Sequence, residues 1–196
     1  MSHVLIIGGT GMLSGVTLYL LEKFDTVSVI ARRHTGFSRL DNFAGKNKNR
    51  INRLQLDYTN YVELTNSIMK SIDEFGEISL CASWVHSNAP MANVITAKTI
   101  NEMFAAVKFK IADSCDFYEI LGSSYANPEN KSNNRQDEFI MFDYINYHSV
   151  ILGFIISNGK SRWLTNEEIS SGVNYAINRK INKFIVGTVE PWDKIP

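Results

Sequence analysis

The apolar run Val4-Leu5-Ile6-Ile7 ends in Gly8-Gly9-Thr10-Gly11, and a helical pattern follows at once, with Leu13, Val16, Thr17, Leu20 and Leu21 on one face. No other feature of the chain narrows its fold as much. An apolar run without alternation reads as a strand covered on both sides, which belongs in a parallel sheet. A glycine turn leading from such a strand into a helix brings backbone amides close to an anion. Unpaired N–H groups and the helix dipole both favour negative charge at that point. Gly8 and Gly11 supply the turn and the close approach. A third glycine, needed for tight helix–strand packing, would fall at Ser14, with Gly15 one residue later. Either serine is small enough to substitute or the loop carries one extra residue.

Beyond this unit, strand and helix alternate. Residues 26–31, 51–57, 78–85 and 116–121 read as strands, and residues 60–73 and 91–108 as helices. Asn60 and Glu63 form a capping-box pair at the start of the first of these helices. The alternation predicts a doubly wound, mainly parallel α/β sheet of about seven strands with helices on both faces. Residues 126–138 are almost wholly polar and read as a loop. Residues 148–156, rich in β-branched side chains and bounded by Asn158-Gly159, read as one strand. A capping box at Thr165 opens a helix over 168–179, and 183–189 reads as a last strand. A single dinucleotide-binding domain over residues 1–196 is expected.

Composition bounds the partners. Lys and Arg number 20 against 20 Asp and Glu, so no basic excess points to nucleic acid or to an anionic membrane. A small-molecule substrate is expected, with other copies of the chain as the only macromolecular partner in view. Cys81 and Cys115 lie in or beside apolar strands without metal-ligand spacing, so buried, inert thiols and no metal are expected. The run Val150 to Ile156 is too short to span a bilayer, and the N-terminus lacks a basic region or cleavage site. A cytoplasmic location fits these features.

At the end of the second strand, Ala31-Arg32-Arg33 offers two cations and no carboxylate before Asp41. An acidic residue there would suit the ribose hydroxyls of NAD(H), whereas arginine accommodates a 2′-phosphate, so NADP(H) is the expected cofactor.

The stretch Val4–Arg33, with GGTGMLSG and the arginine pair, resembles the short-chain dehydrogenase/reductase superfamily, specifically its atypical members. The resemblance implies cofactor contacts from Gly8, Thr10, Gly11, Met12, Leu13, Arg32 and Arg33. It implies an adenine contact at Asp57-Tyr58 and a ribose-lining strand end at Ala82-Ser83-Trp84. It also places a catalytic serine at Ser123 or Ser124, after the fifth strand.

The resemblance fails at the tyrosine and lysine, four residues apart on a helix, that carry the family's proton transfer. Tyr147 is followed four residues on by Ile151, Tyr144 by His148 and Tyr125 by Glu129. If residues 144–148 are strand, their ends are ~13 Å apart rather than side by side. Ser123, Ser124, Tyr147 and His86 remain as candidate catalytic groups. An atypical NADP(H)-dependent reductase of a small carbonyl or imine is the leading expectation. The alternative is a non-catalytic NADP(H)-binding sensor or scaffold. Arg162-Trp163 could bind a substrate carboxylate or pack a helix cap.

Overall fold

The computed structural model describes residues 2–106, 113–127 and 135–196. Strand β1 (His3–Ile7) leads through the glycine loop into helix α1 (Ser14–Leu21), followed by β2 (Thr26–Ala31), α2 (His34–Ala44), β3 (Ile51–Gln55) and α3 (Tyr61–Phe75). The chain continues through β4 (Ile78–Trp84), α4 (Ala92–Ala106), β5 (Cys115–Gly122), β6 (Ile145–Leu152), β7 (Phe154–Ser157), β8 (Lys160–Trp163), α5 (Asn166–Arg179) and β9 (Lys183–Val186).

Seven strands form one parallel sheet in the order β3-β2-β1-β4-β5-β6-β9. The chain winds outward from β1 to β3, then returns to the other side of β1 as β4. The resulting switch point between β1 and β4 opens a crevice at the carboxyl ends of the strands. Strand β1 is wholly buried because its side chains serve two cores. Val4 and Ile6 pack with Leu13, Val16 and Leu20 of the α1 segment, Phe37 and Leu40 of α2, and Val173 of α5. Leu5 and Ile7 pack with Leu64 and Ile68 of α3 and Ile100 and Phe104 of α4. The capping box at Thr165 forms, Thr165 Oγ1 accepting from the Glu168 amide and the Thr165 amide donating to Glu168 Oε2. Asn60 only caps: its Oδ1 accepts from the Glu63 amide, but its own amide donates to the Asp57 carbonyl. Cys81 and Cys115 are buried free thiols whose ionisation burial pushes well up.

The structure departs from the sequence expectations in two places. Helix α2 lies where no element is expected, and buries Gly36, Phe37, Leu40 and Ala44. The single strand expected over 148–156 is instead two strands in two sheets. Strand β6 begins earlier, at Ile145, and the chain leaves the parallel sheet at Gly153. A Cβ on Gly153 would stand 2.0 Å from the Thr188 carbonyl oxygen, so only glycine permits that approach. Strands β7 and β8 then form an antiparallel hairpin whose Asn158-Gly159 turn has φ of 52° and 75°, the left-handed pair that a two-residue turn requires. Between β5 and β6, the described residues carry 3-10 turns rather than a helix, and Phe139 and Phe142 cover the sheet there. The rest of the polar segment, residues 128–134, lies outside the described residues.

Candidate functional site

Because the strands run parallel, the carboxyl ends of β1, β2, β4, β5 and β6 share one edge, and three adjoining clefts open along it. The first, of about 280 Å³, runs from the glycine loop to the end of β2. Gly8 holds a φ of 82° and donates its amide to Ile30 O, tying the turn to β2. A Cβ on Gly9 would stand 2.6 Å from Thr17 Oγ1 and 2.9 Å from Ile6 Cγ2, whereas one on Gly11 would meet nothing nearer than 3.8 Å. Gly9 therefore packs the loop onto the sheet, while Gly11 borders open space. Gly15 is the other packing glycine, its Cβ position 2.7 Å from Ser170 Oγ of α5. Close packing of the loop and of the helix that follows it is thus shared between Gly9 and Gly15. Leu13 at the N-cap of α1 supplies no side-chain acceptor, and no acidic residue stands in the first turn.

The opposite wall of this cleft carries Arg32, Arg33 and Arg39, and none of its lining residues is acidic. Arg39 reaches it because α2 packs against the loop: a Cβ on Gly36 would be 2.6 Å from Thr10 Oγ1. Asp57 stands beside this wall, its Oδ2 3.7 Å from Arg32 Nη1. Hydrogen bonds from the Thr59 amide and hydroxyl, and then the Arg32 charge, hold its carboxyl below the usual range. Tyr58 lines the cleft, and its hydroxyl accepts from the His86 amide at 3.4 Å.

The second cleft, of about 300 Å³, lies between the ends of β4 and β5 and is lined by Trp84, His86, Asn93, Glu119, Tyr125 and Arg135, among others. Its floor is a buried polar network. Glu119, 1% exposed, accepts from Asn93 Nδ2 at 2.7 Å, Arg135 Nη2 at 2.6 Å and Tyr147 Oη at 2.6 Å. Ser83 donates to Asn93 Oδ1 at 2.5 Å, and Arg135 also forks onto Glu138. Burial, and then the adjacent Glu119 charge, push the Tyr147 phenol far above its ordinary range.

The third cleft, of about 320 Å³, is mainly apolar, with Met12, Trp84, Leu152, Trp163, Leu164 and Ile169 around Ser123 and Ser124. Trp163 arrives on the β7–β8 hairpin. Its neighbour Arg162 is bidentate to Glu168 at 2.8 Å, so Arg162 packs the cap of α5. That arginine and the Thr165 amide draw the Glu168 carboxyl down to about 2.

The candidate residues are therefore sorted by the fold. Gly8, Thr10, Gly11, Met12, Arg32, Arg33 and Tyr58 meet in the first cleft, and Ser123 and Ser124 in the third. His86 borders the first and second, while Trp84 borders all three. The Leu13 side chain and Ala82 are core residues with no exposure, so only their backbone lies near the site. Ser83 is buried and bound to Asn93. Tyr147 corrects the expectation placed on it: it lines none of these clefts, and its hydroxyl is held by Glu119 on a strand. Asn93, Glu119, Arg135 and Arg39 were not singled out from sequence as site residues. A usable signal existed for Glu119, a carboxylate inside the otherwise apolar run Phe117–Leu121.

No protein-family pattern matches the chain, and no curated protein matches it in sequence. Solved structures do match. A short-chain dehydrogenase from Bacillus anthracis superposes with a TM-score of 0.72 at 13% identity, over 94% of each chain. A bulky-bulky ketone specific alcohol dehydrogenase from Comamonas testosteroni gives 0.70 at 16% identity, over 98% of this chain and 90% of that one. ElxO, in a structure with NADP bound, gives 0.68 at 14% identity, over 95% and 97%. The chain has the Rossmann fold of the short-chain dehydrogenase/reductases.

Proposed function

We propose that this protein is an NADP(H)-dependent oxidoreductase acting on a small carbonyl or imine compound. The first cleft carries the reading. It joins an open glycine turn at a helix N-terminus to a wall of three arginines with no carboxylate in the lining. A dinucleotide fits these residues: the loop around Thr10, Met12 and Leu13 for the pyrophosphate, Tyr58 for the adenine, and Arg32, Arg33 and Arg39 for a 2′-phosphate. The NADP held by the similarly folded ElxO supports the same choice.

Bound NADPH supplies hydride, so the chain itself needs only to orient and polarise the substrate. Ser123 and Ser124 serve as hydrogen-bond donors to the substrate oxygen, and His86 stands where a proton can pass through water. Tyr147, committed to Glu119, takes no part.

That same commitment favours a second reading, an NADP(H)-binding sensor without turnover. One experiment separates the two. NADPH and NADH fluorescence are titrated with protein at fixed salt, and NADPH oxidation is then followed over a panel of carbonyls. Tight NADPH binding with turnover supports the reductase, and binding without turnover across the panel supports the sensor. Equal affinity for NADH and NADPH removes the NADP(H) assignment.

A further inference from the structure

We propose that the second cleft, walled by Asn93, Glu119, Tyr125 and Arg135, is the substrate site, and that it takes a small uncharged compound carrying hydroxyl groups beside its carbonyl. The assignment rests on the dinucleotide reading of the first cleft, because continuity between cavities makes it. The first cleft meets the third at Met12, the residue directly after Gly11, and at Trp84. It meets the second only at Trp84 and His86, neither of them a loop residue. A ligand lying along the glycine loop therefore passes over Met12 into the third cleft. The aromatic and aliphatic walls there suit a flat ring, and Ser123 and Ser124 follow Gly122, where the third cleft meets the second. The second cleft meets the third at Trp84 and Gly122, so its occupant abuts that ring.

The walls decide what the occupant is. Glu119 has both oxygens engaged, Oε1 by Asn93 and Arg135 and Oε2 by Arg135 and Tyr147. It offers no open carboxylate to an ammonium group. Arg135 faces two carboxylates, Glu119 at 2.6 Å and Glu138 at 2.7 Å, so the wall holds no unmatched positive charge for a carboxylate or phosphate. A wholly apolar guest would strip water from the Tyr125 hydroxyl, which stands outside this network, and return no hydrogen bond. Neutral hydroxyl and carbonyl groups satisfy all three constraints. At about 300 Å³ the space lies at the lower end of small-molecule sites.

The test uses three small probes, each with and without saturating NADP+: dihydroxyacetone, pyruvate and cyclohexanone. Binding is read by saturation-transfer NMR, and NADP+ affinity is measured separately by calorimetry. Dihydroxyacetone is expected to give the strongest transfer, and Tyr125→Phe to weaken its Kd about fivefold with NADP+ affinity unchanged. Stronger transfer to pyruvate or cyclohexanone overturns the proposal, as does silence from all three or a Tyr125→Phe variant with unchanged Kd. Failure of NADP+ to bind sinks the dinucleotide reading by itself. In that event, dihydroxyacetone binding that Tyr125→Phe weakens still supports a hydroxyl-binding second cleft, and its absence removes that too.

Discussion

Arg135 forks onto the buried carboxylate of Glu119, with Nη2 2.6 Å from Oε1 and Nε 3.2 Å from both oxygens. Glu119 stands in the middle of β5, where its neighbours Tyr118 and Ile120 are core residues. A carboxylate there is tolerable only when paired and hydrogen-bonded. Arg135, Asn93 and Tyr147 meet that requirement together and shape the second cleft.

Removing the arginine leaves the carboxylate buried without its counter-charge. Arg135→Ala is expected to lower unfolding free energy by about 3 kcal/mol or more, since breaking a buried pair from one side costs that much. Arg135→Lys should recover only part of the loss, because an ammonium cannot fork onto two oxygens and Glu138 at once. Urea denaturation measures both, and an Arg135→Ala midpoint equal to wild type would show that the pair is not formed in solution.

The two central glycines of the loop should behave oppositely. Gly9→Ala places a Cβ against Thr17 and Ile6 and is expected to destabilise by roughly 1–3 kcal/mol. Gly11→Val projects into open space, so it should unfold near the wild-type midpoint while losing NADPH binding. Full NADPH affinity in a folded Gly11→Val protein rules out the loop as the pyrophosphate site.

Cofactor choice should follow the arginine wall. Charge-assisted bonds to a 2′-phosphate are worth roughly 1.5–3 kcal/mol when well placed, so replacing Arg32, Arg33 or Arg39 by serine should weaken NADPH about tenfold or more. NADH affinity should stay nearly constant. Ala31→Asp combined with Arg32→Ser should invert the preference by offering the ribose hydroxyls an acceptor. Equal loss of both cofactors would make the arginines general surface cations.

Stability should fall on mild acidification through His3. Its Nδ1 lies 2.8 Å from the Gly76 carbonyl, which can only accept, so Nδ1 carries the hydrogen and Nε2 accepts from Ser28 at 2.7 Å. Burial holds the ring's pKa below its ordinary 6.5. Below 6.5 the unfolded chain takes up a proton that the folded state resists, so the contribution is complete above 6.5 and is lost as pH falls toward the folded value. Denaturation at pH 7.5 and pH 5 should show a drop that His3→Gln reduces. An identical pH dependence in the variant would assign the drop to other groups.

Local signals in the sequence determined the alternation of strands and helices, the N-caps at Asn60 and Thr165, the buried cysteines and the glycine turn. Periodicity and cap chemistry act within a few residues, so they are readable without knowing what packs where. Helix α2 escaped because its buried face is carried by few apolar residues among polar ones. The break at Gly153 was invisible because its cause is the backbone of Thr188, brought close only by β9. The same holds for the site. Tyr147 reads from sequence as a candidate catalytic group and Glu119 draws no reading of its own; the parallel register of β5 and β6 sets them together. Arg135 joins them from the segment that follows β5, and Asn93 from the first turn of α4. Contacts of that kind depend on which strands are neighbours, and only the tertiary structure decided them.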